Sequence, residues 1–427
     1  MPNKCAARNK LASPGVRLRG RAWICSLLAA LAVLAVACSS AATAPTPAPE
    51  KPAPTSQPTA ALAAPTPTTD AASAGDALGS LRFSRSGWKT DFSKRTVSLN
   101  EIQSGGPPRD GIPPIDAPRF VRPSDAADWL KDNEPVVVLE DSGDARAYPL
   151  QILIWHEIVN DTVGGRPVTM TFCPLCNTAI AFDRRLEGVT YDFGTTGNLR
   201  NSDLVMWDRQ TESWWQQVTG EAIVGELSGV RLTPLPASIN SFADFKATFP
   251  NGKVLSRETG FSRNYGRNPY TGYDDVNSSP FLFSGKADGR LRPLERVVAV
   301  SLNGDEVAYP FTLLEQRRVA NDTVGGIPIV VLYGKGTSSA LDASGIAASR
   351  DIGAAGAFEP VAGGRRLTFR ADGDRLVDVE TASEWSPLGQ AIGGPLQGQR
   401  LRPIVHGNHF WFAMAAFYPN VRVWKPE

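Results

Sequence analysis

The chain repeats itself, and that repetition limits its possible folds more than any other feature. The stretch ARAYPLQILIWHEIVNDTVGGRPVTMTF (Ala145–Phe172) returns as EVAYPFTLLEQRRVANDTVGGIPIVVLY (Glu306–Tyr333), with a constant offset of 161 from Tyr148 to Tyr309 and from Asn160 to Asn321. The segments just before it also match, VVVLEDSGDARAYP against VVAVSLNGDEVAYP. A second pair of blocks, Asp208–Leu232 and Asp378–Leu401, aligns Thr211 with Thr381, Ser213 with Ser383 and Trp215 with Trp385. Two copies are too few for an open solenoid. The expectation is one pseudo-twofold, two-lobed domain, with copy one over residues 134–256, an inter-repeat segment over 257–294 and copy two over 295–427.

Within each copy the signals are those of strands. Ser142-Gly143 and Asn303-Gly304 mark hairpin turns between β-branched runs. One short helix is expected after each AYP, over Pro149–Glu157 and the matching PFTLLEQRR, with proline in the first turn. FADFKATFP and FWFAMAAFYP read as a second short helix per copy. The predicted class is therefore α+β and β-rich, two tandem copies of a mostly antiparallel unit with short helices.

The first 77 residues stand apart. Six basic residues (Lys4, Arg8, Lys10, Arg17, Arg19 and Arg21) precede the apolar run Ala22–Ala37, which is shorter than the roughly 20 residues a membrane span needs. This is a signal-peptide pattern over residues 1–38. Ala35-x-Ala37 suits ordinary cleavage and secretion. Small residues leading into Cys38 resemble a bacterial lipobox, with Leu34 one place early, and lipidation of Cys38 is the favoured reading. Residues 39–77, rich in Ala, Pro, Thr and Ser, bury too little to fold and read as a stalk. Residues 78–133 form an N-terminal extension of the folded part. The expectation is an extracytoplasmic protein whose membrane partner is reached through the lipid on Cys38. Removing the six leader cations leaves 38 basic residues against 43 acidic ones, a net charge of −5. With no dense basic patch, a nucleic-acid partner is excluded, and no protein partner is indicated.

A repeat also separates scaffold from chemistry. Tyr148, Asn160, Asp161 and Gly165 are kept in both copies and are assigned to turns and packing. Cys173, Cys176, His156 and Glu157 are absent from copy two, where Arg317 and Arg318 replace the His-Glu pair and Gly334 replaces Cys173. Cys173 and Cys176, spaced Cys-x2-Cys, are the only cysteines beyond the leader. This spacing is a recurrent half-site for zinc or copper. His156 is the expected third ligand, His409 a weaker candidate, and His406 the chain's remaining histidine.

Two other readings stay open. Cys-Pro-x-Cys after an apolar strand suits a thiol–disulfide oxidoreductase, with Cys173 as nucleophile, Cys176 as resolving thiol and a short helix after them. Glu157 is expected as an outer-shell partner of the metal site, or as an acid–base group if the chemistry is redox or hydrolytic. Alternatively, the pair is structural and the chain is a metal-free binding module. Asp203, Asp208, Arg209, Glu212 and Gln216, interleaved with Met206, Trp207, Trp214 and Trp215, would line its cleft. The tyrosines of Ser262–Tyr273 would either rim such a cleft or belong to an unanchored linker.

WHEIVNDTVGG, TFCPLCNTAIAFDR, NSDLVMWDRQTESWWQQ, GFSRNYGRNPY and HFWFAMAAFYP together resemble domain-of-unknown-function family 3179 from about Glu134 to Tyr418. The resemblance places the family's Cys-Pro-Leu-Cys block at Cys173–Cys176 and its His-Glu pair at His156 and Glu157. It implies an extracytoplasmic setting and no particular activity.

Overall fold

The computed structural model describes residues 81–426. The expected signal peptide over 1–38, the lipidation at Cys38 and the stalk over 39–77 lie outside them. Among the described residues no helix is long and apolar enough to cross a membrane.

The hairpin Pro135–Asp141 and Asp144–Pro149 turns at Ser142-Gly143, both at positive φ, and its counterpart Arg296–Leu302 and Asp305–Pro310 turns at Asn303-Gly304 in the same way. Positive φ at both central residues matches the right-handed twist of a two-residue hairpin. The helices Leu150–His156 and Phe311–Arg317 come directly after. Each starts one residue later than the sequence suggests, because Pro149 and Pro310 keep extended backbone and act as N-cap residues. A second hairpin comes next in both copies, Ile158–Val163 with Arg166–Cys173 and Val319–Val324 with Ile327–Gly334. All five spans recur at the offset of 161. The later helices, Phe242–Thr248 and Trp411–Phe417, also stand where expected.

Shared residues do the same work twice. Tyr148 donates its hydroxyl hydrogen to Asp161 at 2.6 Å, and Tyr309 to Asp322 at 2.7 Å. Asn160 and Asn321 each bridge to the backbone of a facing aromatic, Phe193 and Phe369. Asp208 accepts from Thr211 and from the indole of Trp215. Asp378 accepts from Thr381 and Trp385 with the same geometry. Each is a buried carboxylate satisfying donors that would otherwise be orphaned.

The two copies do not keep separate sheets. One eight-stranded sheet runs from Ile158–Val163 through Arg166–Cys173 and Thr178–Asp183 of copy one. It continues into His406–Phe410, Arg296–Leu302, Asp305–Pro310 and Arg422–Val423 of copy two, and Thr233–Leu235 pairs at its side. The joint lies where Asn408 faces Ala179. A five-stranded sheet holds Phe193–Arg200, Asp203–Asp208 and Trp214–Gln216. The largest apolar cluster contains Phe172, Cys173, Cys176, Ile180 and Phe410, so the sulfurs lie in the core at the joint.

The Gly-Gly turns permit a sharp comparison. Gly164 sits at φ +55° and a Cβ there would overlap the carbonyl of Asp141, whereas Gly165, at φ +84°, faces open space. Alanine at Gly165 carries only the left-handed backbone cost, roughly 1–2 kcal/mol. Gly164→Ala adds a backbone clash and is expected to cost at least about twice as much. Urea denaturation of the two variants checks this, and equal losses would count against the turn geometry.

Candidate metal centre

Cys173 ends the strand Arg166–Cys173 and pairs with Thr178, which opens the next strand. Pro174–Asn177 make the turn between them. It is closed by the Asn177 amide donating to the Pro174 carbonyl at 3.3 Å, with Asn177 at φ +50°. The segment after Cys176 is a strand, Thr178–Asp183, and not the short helix of the oxidoreductase reading. The pairing partner available to it on Arg166–Cys173 outweighs local helix preference. No helix start therefore lowers the affinity of either thiol for its proton.

Asp203 enters from the five-stranded sheet. Asn201 and Ser202, both at positive φ, turn the chain so that Asp203 opens Asp203–Asp208. Its Oδ1 lies 2.9 Å from Cys176 Sγ. Its Oδ2 accepts from Gln216 Nε2 at 2.6 Å and from the Val218 amide at 3.0 Å. The sulfurs of Cys173 and Cys176 and a carboxylate oxygen of Asp203 all lie within 4.8 Å of one another, and all three residues are buried. The cysteines are free thiols.

Glu157 adjoins this group. It caps the helix Leu150–His156 at φ +58°, with its amide on Leu153 and its carbonyl on the Phe172 amide. Arg318 takes the same backbone position in copy two, at φ +64°, on Leu314 and Tyr333. The charge is inverted on an unchanged scaffold. Neither Glu157 nor Asp203 has an ion-pair partner among the described residues.

The electrostatics arise from burial without a cation. Desolvation pushes Asp203 up to about 6. Desolvation, and then the charge of Asp203, push Glu157 up to about 8. Burial also raises both thiols, Cys176 well above the ordinary range. Tyr270 and Tyr273, which cover the site, are raised by burial as well.

The inter-repeat segment is anchored. Tyr265 donates to His156, Tyr273 donates to the Leu175 carbonyl at 2.8 Å, and Ser202 donates to the Phe281 carbonyl. Asp274, fully buried, takes Arg296 at 2.6 Å and Arg350 at 2.8 Å.

The other expected residues lie elsewhere. Both ring nitrogens of His156 are engaged, Nδ1 on the Pro113 carbonyl at 2.7 Å and Nε2 on the Tyr265 hydroxyl at 2.6 Å, and His156 is not in the three-residue group. His409 bonds Thr178 through Nδ1 and is also outside the group. Of the supposed cleft residues, Asp203 and Gln216 belong to the thiol site. Asp208 holds its turn, Arg209 pairs with Asp116, and Glu212 pairs with Arg109. Asp203 is readable as a ligand by the rule that selects the cysteines, since copy two lacks the NLRNSDLVMW block. What the sequence hides is that the two clusters are one.

The fold and site thus define a β-rich protein with a buried dithiol–carboxylate centre where Thr178–Asp183 meets His406–Phe410 in the shared sheet. A family model described as "Protein of unknown function (DUF3179)" matches residues 109–421, and the chain belongs to that family. No curated protein and no solved structure matches it.

Because Glu157 binds its proton more tightly folded (about 8) than at its ordinary 4.5, the metal-free protein loses stability as pH rises from 4.5 to 8. Asp203 adds a loss between 3.8 and about 6. Each proton contributes a slope of at most about 1.4 kcal/mol per pH unit. Glu157→Gln is expected to flatten the upper part of the profile and stabilise the chelator-treated protein at pH 8. Superimposable wild-type and variant melting profiles would remove the role assigned to Glu157.

Proposed function

We propose that this chain binds one divalent ion of the zinc class through Cys173 Sγ, Cys176 Sγ and Asp203, with Glu157 beside them as fourth ligand or acid–base neighbour. The observation that carries this is the convergence of two sulfurs and a carboxylate oxygen within 4.8 Å, all buried. Zinc takes thiolate at about 2.3 Å and carboxylate at about 2.0–2.2 Å. The mixed sulfur and oxygen set favours it over copper(I), which would leave the carboxylate unused. A divalent cation offsets the negative charge that burial alone makes unfavourable. Gln216 and the Val218 amide orient the ligating carboxylate, as outer partners of metal ligands do. The closed setting under Tyr270 and Tyr273 suits a held ion more than an open catalytic position.

The thiol–disulfide reading is weaker. A nucleophilic cysteine is partly exposed and binds its proton loosely, and here both thiols are buried and raised. In the metal-binding reading, copy one keeps the ligands of an ancestral duplication arranged as two pseudo-twofold lobes. A lipid on Cys38 and the stalk over 39–77 hold the domain on the outer side of a membrane.

Elemental analysis of untagged native protein is expected to find one zinc per chain, lost in Cys176→Ser and Asp203→Asn and kept in His156→Gln. Gln216→Ala is expected to lower zinc affinity by about 10–100-fold. Native protein free of metal, with the two thiols titrating freely or joined as a disulfide, would sink the proposal.

A further inference from the structure

Copy two carries a cleft at positions that in copy one belong to the thiol site. In the sequence repeat Arg318 aligns with Glu157, Gly334 with Cys173 and Ser386 with Gln216. In copy one these residues surround a closed, acidic centre. In copy two they line a cleft of about 420 Å³, a size that suits a small organic ligand. No thiol fits at Gly334, because a Cβ there would overlap the ring of Pro387. The chemistry of this cleft must come from other groups.

Its main feature is a buried cation without a close counterion. The Arg318 side chain is 9% exposed, and its Nε and Nη1 are buried without a hydrogen-bond partner. Its Nη2 donates to the Asp374 carbonyl at 3.3 Å. Among the described residues its one ion pair is with Asp374 Oδ1, 3.9 Å from Nη2. Lys335 Nζ lies 3.8 Å from the same oxygen. Charge-assisted N–H···O bonds run at about 2.7–2.9 Å, so this carboxylate stands between two cations and bonds neither. Asp374 sits on the turn between Phe369–Asp372 and Arg375–Asp378, with its side chain 85% exposed. A carboxylate so exposed and so distant offsets little of the cost of burying a guanidinium.

We propose that this cleft binds an organic monocarboxylate, whose carboxylate takes the place of the Asp374 side chain between Arg318 and Lys335. Both cations already lie within 4 Å of one oxygen. A ligand oxygen there has to come only about 1 Å closer to each to form charge-assisted bonds. Asp374 yields the place by turning its exposed side chain into water. Trp385, Pro387 and Ile392 belong to the same lining, and Ile392 is 49% exposed, so the body of the ligand is apolar. The remaining charges set the ligand's valence. Arg375 is paired with Asp372, and Asp244 accepts from Ser241 and is raised by burial. Asp374 and Glu384 also line the cleft, and two carboxylates repel a phosphate dianion more than a single negative charge.

The test is equilibrium dialysis of the full chain against radiolabelled benzoate at low salt, with acetate and inorganic phosphate as competitors. Benzoate is expected to bind at one per chain, with acetate competing weakly and phosphate not at all. Arg318→Gln is expected to weaken benzoate at least tenfold, and Lys335→Gln about threefold. Asp374→Asn removes the internal competitor and is expected to tighten benzoate about threefold. The Lys335 and Asp374 side chains are 55% and 85% exposed, so these two variants remain folded and informative even if Arg318→Gln does not fold. No benzoate bound at millimolar concentration overturns the proposal, as does an affinity that neither Lys335→Gln nor Asp374→Asn changes. Displacement of benzoate by phosphate overturns the assignment to a monocarboxylate. Zinc at the thiol centre does not enter this measurement, so the two proposals fail separately.

Discussion

A carboxylate pressed against a thiol in the core, with no cation facing either, is the constraint on which the rest of the structure depends. Asp203 and Cys176 meet at 2.9 Å in full burial. Burying an unpaired carboxylate is costly, and protein interiors answer by pairing the charge, protonating it or binding a metal. The described residues offer no ion-pair partner to Asp203 or Glu157. Protonation is what the raised values of Asp203, Glu157 and the thiols express. An ion would satisfy all of them at once, which makes the donor set more than a chance grouping of buried polar atoms.

Matched polar contacts in the two halves of the sequence show how such a site is tolerated. Tyr148–Asp161, Asn160–Phe193 and Asp208–Thr211–Trp215 each have a twin in copy two, so the scaffold does not depend on the thiols. Glu157 and Arg318 occupy one backbone position with opposite charges. A frame stable with either residue leaves the chemistry of that position open to change. The cover over the site is fixed from copy two, since Asp274 is gripped by Arg296 and Arg350.

Much of the local structure is legible in the sequence. Asn303-Gly304 and Ser142-Gly143 dictate hairpins through backbone conformation alone, and the constant offset carries each element from one copy to the other. The helices after AYP begin one residue later than expected, because a proline there is equally at home as N-cap. The strand after Cys176 departs from the helix its residues suggest, because its partner strand, not its own composition, sets its conformation. The site is half legible. Cys173, Cys176, Glu157 and Asp203 all stand out by their absence from copy two. Asp203 is 27 residues from Cys176 and on another sheet, so no local period links them. His156 obeys the asymmetry rule too, yet its ring faces Pro113 and Tyr265, since a helix terminus can aim adjacent side chains in different directions.

Copy two lacks the sulfurs but still supports them. The Cys176 carbonyl accepts from the Phe410 amide at 2.8 Å and from Thr178, whose hydroxyl is itself held by His409. The strand His406–Phe410 thus fixes the backbone of Cys176 through the Phe410 amide and through the His409–Thr178 pair. It also forms the joint of the shared sheet, where Asn408 faces Ala179. A seam of this kind is a favourable place for the Cys173, Cys176 and Asp203 group, because side chains drawn from different sheets are positioned by core packing instead of by mobile loops.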